Sequence, residues 1–221
     1  MKSSNGTKKP SKDIKNENSS RLFHDLKQPN SIFATEIECR TKKIIIMDDK
    51  RFEGIPKNYK TFILDYSNDP EKHGWKREDV EYILECIQND DLDPSEFSST
   101  EAELYNDIGT FFEDGVCVKP NIEIAVYWYE KAIALGEDLA RSNLADILRK
   151  GSQGYPKDLK RAFELYKACG LPYAHYRCGE FFEHGWGTDK DLEKAKTYYT
   201  LAYKEGHGLA RKKLKEWNFL D

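Results

Sequence analysis

The sequence has no long apolar run, which argues against a membrane-spanning helix. Its longest aliphatic cluster is Ile44–Met47, whereas a span needs about 18 apolar residues. The first residues are polar and lack the apolar segment of a secretory signal peptide. These absences predict a soluble, cytoplasmic protein.

The sequence also has few cysteines and no Cys-x-x-Cys pair. Five widely spaced cysteines, an odd number, argue against a disulfide framework and a zinc knuckle. Neither a Gly-x-Gly-x-x-Gly nor a Gly-Lys-Ser/Thr phosphate loop occurs. We therefore predict no metal and no cofactor, and we interpret the thiols as reduced and mostly buried: Cys39, Cys86, Cys117, Cys169 and Cys178.

Charge is distributed unevenly along the chain. The net charge is -4, yet residues 1–30 hold seven Lys/Arg against three Asp/Glu. Because this stretch has almost no apolar side chains to bury, we predict that residues 1–31 are a disordered basic tail. Leu22, Phe23 and Leu26 share a helical stripe, which could be a short docking helix or merely a segment that folds back on the body. The basic ends leave nucleic-acid binding open, but a protein partner is the stronger expectation.

Three segments of about 35 residues align with one another. Gly115, Gly151 and Gly185 recur at separations of 36 and 34 residues, and alanines recur in register with them at 125, 162 and 195. Each segment has the apolar spacing of two helices, with the glycine at the end of the first. The predicted N-caps of the second helices are Asn121, Asp158 and Asp191.

A small residue recurs inside the first helix of each segment. Gly109, Ala145 and Gly179 occupy this position, where a glycine costs about 1 kcal/mol in helix propensity. We expect that a neighbouring backbone approaches closely there, since only a missing side chain would permit it.

The third segment, GEFFEHGWGTDKDLEKAKTYYTLAYKEGHGLA, resembles a Sel-one-like repeat, a relative of the tetratricopeptide repeat. The first segment departs from this pattern at Cys117 and Asn121, and the second gains a residue before Asp158. The resemblance implies an all-α fold, an α-solenoid of stacked antiparallel helix pairs in a right-handed superhelix. Residues 100–221 would form three repeats and a C-terminal capping helix, and the family implies an adaptor for protein complexes rather than a catalyst.

Residues 32–99 are predicted to form an N-terminal helical region or a degenerate leading repeat. Helical spacing occurs at Tyr59, Phe62, Ile63 and Tyr66, and again from Val80 to Ile87. The isoleucines at 44–46 could instead form a strand of a separate small domain. Further on, Thr100 and Glu103 have the spacing of a capping box that opens the first repeat.

Tetratricopeptide geometry, if it applies, indicates which side chains line the concave surface. We name these nine residues the groove set: Asn106, Thr110, Glu113, Ser142, Asp146, Arg149, Tyr176, Glu180 and Glu183. Its four carboxylates and one arginine predict a basic or amphipathic segment of another protein as ligand, with Tyr176 as apolar anchor. Trp186, in a loop, is either a further contact or packed on its own helix pair.

No residue is predicted to be catalytic. His175 and Cys178 could meet on one helix face, but Cys178 aligns with core positions, which favours a buried, unreactive thiol. Two alternatives to the adaptor remain open. One is a bacterial immunity or effector-associated protein, and the other is an enzyme whose site lies in residues 32–100.

Overall fold

The computed structural model describes residues 59–220. The predicted basic tail, the stripe at Leu22–Leu26 and the possible strand at 44–46 lie outside these residues. Within them the chain forms eight α-helices and no β-strand. The helices are α1 (Arg77–Asn89), α2 (Glu101–Asp114), α3 (Ile122–Ala134), α4 (Asp138–Lys150), α5 (Leu159–Ala168), α6 (Pro172–His184), α7 (Leu192–Lys204) and α8 (Gly208–Glu216).

The helices form a linear stack of antiparallel pairs. The pairs are α2 with α3, α4 with α5, and α6 with α7, and each pair packs on the next one along the chain. Helix α8 packs on α7 as the first half of a further pair. This arrangement of neighbours is that of an α-solenoid.

Local capping signals set the ends of the helices. Thr100 and Glu103 form the predicted capping box, with Glu103 N–H donating to Thr100 Oγ1 at 3.2 Å and Thr100 N–H to Glu103 Oε2 at 2.9 Å. The side chains of Asn121, Asp158 and Asp191 accept backbone N–H bonds as N-caps of α3, α5 and α7. The predicted glycine C-caps, all left-handed, end α2, α4 and α6 at Gly115, Gly151 and Gly185.

The small residue inside the first helix makes room for an aromatic ring, and our expectation of a neighbouring backbone was wrong. A Cβ added to Gly109 would lie 2.6 Å from ring atoms of Tyr129, and one added to Gly179 would lie 2.5 Å from Tyr199. Both tyrosines are fully buried. In the first and third pairs, a tyrosine ring of the second helix therefore packs directly against the glycine of the first helix.

The predicted helix through Tyr59 and Tyr66 is also wrong. This segment is irregular and pairs with the loop after α2 through hydrogen bonds from Asp65 N–H to the Cys117 carbonyl and from Lys119 N–H to the Ile63 carbonyl. Its rings instead pack on repeat 1: Tyr59 stacks on Tyr127 at 4.7 Å, and Phe62 meets Phe112 at 5.1 Å. These tertiary contacts outweigh the local periodicity.

The second periodicity in this region does form a helix. Val80, Ile83, Leu84 and Ile87 are the buried side of α1 and belong to one core with the repeats. Trp75, just before α1, packs edge-on against Phe111 of α2 at 4.8 Å. The segment from Tyr59 to α1 thus covers the first helix pair.

Candidate protein-binding surface

Each helix pair contains a buried tyrosine whose hydroxyl bonds to a carboxylate of the groove set. Tyr129 donates to Glu113 at 2.7 Å and Tyr199 donates to Glu183 at 2.5 Å. In the middle pair Tyr166 donates to Asp146 instead, because Arg149 occupies the place of those glutamates. The pattern is a repeated link between the two helices of a pair, and the sequence analysis did not find it.

Asp146 is the centre of a larger network. It accepts hydrogen bonds from Tyr173 at 2.9 Å, from Lys150 at 3.0 Å and from Arg149 at 3.1 Å, besides that of Tyr166. Although burial alone would raise it, the pKa of Asp146 is lowered by the bonds from Tyr166 and Lys150. Since Tyr173 belongs to α6, this carboxylate also joins repeat 2 to repeat 3.

The carboxylates of repeat 3 are paired with cations as well. Arg177 bonds to Glu180 at 2.6 Å, and Lys213 of α8 bonds to Glu183 at 2.8 Å. The spacings of Arg177 to Glu180 and of Asp146 to Lys150 are visible in the sequence as helical neighbours. The pairing of Lys213 with Glu183 is not, because it joins two helices that are far apart in the chain.

Glu113, in repeat 1, differs from the other three. It accepts the Tyr129 hydroxyl, but within residues 59–220 no Lys, Arg or His forms an ion pair with it. Burial raises its pKa, against the opposing effect of the Tyr129 hydrogen bond. Repeat 1 therefore presents a partly buried carboxylate that lacks a counter-ion in the described part of the chain.

The neutral polar members of the groove set are largely buried or hydrogen-bonded to other residues of the protein. Asn106 and Ser142 are only 6% and 7% exposed. Asn106 accepts a hydrogen bond from Asn143 of α4 at 3.1 Å and thereby links the first helices of repeats 1 and 2. Thr110 bonds to the Asn106 carbonyl at 3.1 Å and contacts the Tyr129 hydroxyl at 3.2 Å.

The two aromatic candidates are both half-buried against neighbours. Tyr176 stacks on His207 with ring centroids 4.7 Å apart and lies 5.5 Å from the Tyr199 ring. Trp186 stacks on His184 at 4.5 Å and meets Phe181 edge-on at 5.8 Å, with 37% of its surface still exposed. Trp186 thus packs on its own helix pair and also presents an indole face to solvent.

The residues considered for catalysis are not brought together as a reactive site. Cys178 is fully buried, and burial raises the pKa of its thiol to about 12. His175 bonds instead to Glu205 at 2.7 Å. Over residues 59–220 no group of three His, Cys, Asp or Glu side chains could hold a metal ion, and no helix there is long and apolar enough to cross a bilayer.

Comparison with known proteins agrees with this geometry. The family model described as Sel1 repeat matches residues 102–137, 139–168 and 172–207. The chain resembles the crystal structure of a Sel1 repeat protein from Oxalobacter formigenes, with a TM-score of 0.51 and 24% identity over 63% of this chain and 99% of that one. It also resembles a protective antigen of uropathogenic Escherichia coli with an SLR fold, with a TM-score of 0.50 and 24% identity over 67% of this chain and 30% of that one.

A curated relative extends the comparison to sequence. The chitin synthase regulator SKT5 of Saccharomyces cerevisiae is 33% identical over 89 residues, which are 38% of this chain and 13% of that protein. The chain therefore spans only a small part of the length of this relative.

Sel1 repeat proteins generally mediate protein–protein interaction and are typically not enzymes. With three matched repeats, a linear stack of helix pairs and two solved structures of the same fold, residues 102–207 belong to the Sel1 repeat family.

Proposed function

We propose that the chain is a non-enzymatic adaptor that binds a basic or amphipathic segment of another protein along the groove set. The observation that carries this proposal is the unequal state of the four carboxylates. Asp146, Glu180 and Glu183 each bond to a cation of the chain, whereas the Glu113 carboxylate accepts only a tyrosine hydroxyl within the described residues. A partly buried carboxylate without a counter-ion favours a ligand that brings one.

The proposed ligand would therefore place a lysine or arginine at Glu113, in repeat 1. Its apolar side would lie toward Tyr176, whose ring is already held in place by His207. Rings that are fixed before binding lose little conformational freedom on association, which makes Tyr176 a suitable anchor. The yeast relative is described as the regulator of an enzyme, and regulation by contact with another protein fits this class of function.

Affinity purification of the full tagged chain, with quantitative mass spectrometry of the bound proteins, tests the proposal. The groove variant carries Tyr176→Ala and Glu180→Lys. A matched control carries the same two changes on α7, at Tyr203 and Glu193, both exposed and outside the groove set. We expect the groove variant to lose partners that the wild type and the control retain. Equal recovery by both variants would show that the partner binds elsewhere.

A second variant tests the role given to Glu113. Glu113→Gln keeps an acceptor for Tyr129 but removes the charge, so the fold should tolerate it. For a partner found in the first experiment, we expect weaker binding and a smaller dependence of the affinity on salt, because one ion pair is lost. Unchanged affinity and salt dependence would remove Glu113 from the site.

A further inference from the structure

The two ends of the stack differ strongly in charge. Because helix pairs contact only their neighbours along the chain, α1 lies toward one end and α8 lies at the other. Within residues 59–220 no further helix pair packs on the outer side of α1 or α8, as the next pair would in a longer solenoid. The exposed side chains of α1 and α8 are therefore surfaces that can meet another molecule.

The end that contains α1 is acidic. From Glu78 to Glu96 the chain carries eight carboxylates and no lysine or arginine. Glu78, Glu85 and Asp91 are exposed, and none of them forms an ion pair with another residue of 59–220. Asp90 at the same end does bind a basic side chain, that of Lys60, at 2.6 Å. We name Glu78, Glu85 and Asp91 the acidic end.

The end that contains α8 is basic. This helix carries Arg211, Lys212, Lys213 and Lys215 against the single carboxylate of Glu216. Lys213 is used by Glu183, but the other three are exposed and have no ion-pair partner among the described residues. We name Arg211, Lys212 and Lys215 the basic end. Two apolar side chains are exposed there as well, Leu209 at 55% and Phe219 at 46%.

We propose that the acidic end of one copy of this chain binds the basic end of a second copy. The opposite charges of the two ends make them complementary, and Tyr82, 44% exposed on α1, offers an apolar contact for Leu209 or Phe219. The two ends of one molecule are separated by the three helix pairs, so the contact forms between molecules. It joins unlike surfaces and leaves one end of each type free, so assembly continues beyond a dimer.

The contact depends on exposed charges and is therefore weak and sensitive to salt. Sedimentation equilibrium of the full chain, from tens to hundreds of micromolar, measures it directly. At low salt we expect the average mass to rise with concentration past that of a dimer. At about 0.5 M NaCl, where exposed charges are screened within a few ångströms, we expect the mass of a monomer.

Charge-reversed variants test the complementarity. One variant carries Arg211→Glu, Lys212→Glu and Lys215→Glu at the basic end, and the other carries Glu78→Lys, Glu85→Lys and Asp91→Lys at the acidic end. Each alone has two ends of the same sign and should stay monomeric at low salt, whereas a mixture of the two should associate again. A control with the same change of net charge as the basic-end variant, Lys157→Glu, Lys160→Glu and Lys167→Glu, alters exposed residues in mid-chain and should behave as the wild type.

Four outcomes would overturn the proposal. The first is a wild-type mass that stays monomeric at every concentration in low salt. The second is a basic-end variant that associates as the wild type does. The third is a mixture of the two variants that remains monomeric although circular dichroism shows both to be folded. Association that survives high salt would also contradict a contact made by exposed charges.

Discussion

The hydroxyl of Tyr199 lies 2.5 Å from Oε2 of Glu183, while Lys213 reaches Oε1 of the same carboxylate at 2.8 Å. One side chain of α6 therefore holds both the second helix of its own pair and the capping helix α8. Among the described residues, the equivalent bond between Tyr129 and Glu113 has no cation as a third member. The same tyrosine–glutamate hydrogen bond therefore occurs in both pairs, but in the last pair the glutamate also binds the helix that follows.

Removal of the Tyr199 hydroxyl should weaken the last repeat. Tyr199→Phe keeps the buried ring but leaves Glu183 with Lys213 alone, and a hydrogen bond to a charged group contributes about 2 kcal/mol. We expect the free energy of unfolding in urea to fall by about that amount. Tyr203→Phe is the control, since its ring is exposed and the expected change is below about 0.5 kcal/mol. Equal values for the two variants would contradict a role for the bond.

Gly179→Ala should destabilise the protein although alanine is the better helix former. The new methyl group would lie 2.5 Å from the Tyr199 ring, and overpacking of this kind costs about 1–3 kcal/mol, more than the gain of about 1 kcal/mol in propensity. Gly208→Ala is the matched control in α8, where an added Cβ meets nothing within 4 Å. Thermal unfolding should show a lower midpoint for the first variant and an equal or higher one for the second. A higher midpoint for Gly179→Ala would show that the ring moves aside freely.

Asp107 should make stability depend on pH. Its Oδ2 is buried without a hydrogen-bond partner among the described residues, and burial raises the pKa of this carboxyl to about 7. Glu103 and Glu137 act in the same direction, and Asn106 opposes them with a weak bond at 3.4 Å. Because the folded state keeps its proton to a higher pH than the unfolded state, this group favours folding most below about pH 4. The advantage is lost as the pH rises to about 7.

The variant Asp107→Asn removes this dependence. The difference in unfolding free energy between the variant and the wild type should grow in favour of the variant between about pH 4 and 8, by roughly 2–4 kcal/mol. Asp189→Asn, at an exposed position, serves as the control and should show no such trend. If the difference in unfolding free energy between Asp107→Asn and the wild type did not change with pH, the fold would have to accommodate the charged form of Asp107.

The described thiols should be inert in the folded protein. Cys86, Cys117, Cys169 and Cys178 are all buried, and burial raises the pKa of each of them. In a Cys39→Ser background we expect almost no reaction with a disulfide reagent at neutral pH, and full reaction in denaturant. Rapid labelling of Cys86 or Cys178 in the folded state would favour the alternative of an enzyme.

The helix ends could be predicted from the sequence because their causes are local. A cap at Asn121 or Asp191 needs only a side-chain oxygen and a backbone N–H up to three residues away. The positions of the glycines at 115, 151 and 185 have an equally local cause, since each glycine ends its helix with a positive φ. These signals recur with the repeat, which is why the architecture could be inferred from one chain.

The predicted helix at Tyr59–Tyr66 shows the limit of that approach. Its apolar spacing suits a helix, but Tyr59 and Phe62 pack instead on rings of α3 and α2, and the backbone bonds to the loop at 117–119. The glycines at 109 and 179 show another limit, because a neighbouring backbone was expected beside them, whereas the rings of Tyr129 and Tyr199 lie there. Both outcomes depend on side chains distant in sequence.

The sequence by itself determined the repeat and the helix pairs, because periodicity and capping act over a few residues. Only the tertiary structure decided the electrostatic state of the carboxylates in the groove set. Burial of Tyr166 and Tyr199 directs their hydroxyls to Asp146 and Glu183, and α8 brings Lys213 to a carboxylate of a different repeat. Carboxylates at similar places in the sequence therefore have different partners in the fold, because packing decides which hydroxyls and cations lie beside each one.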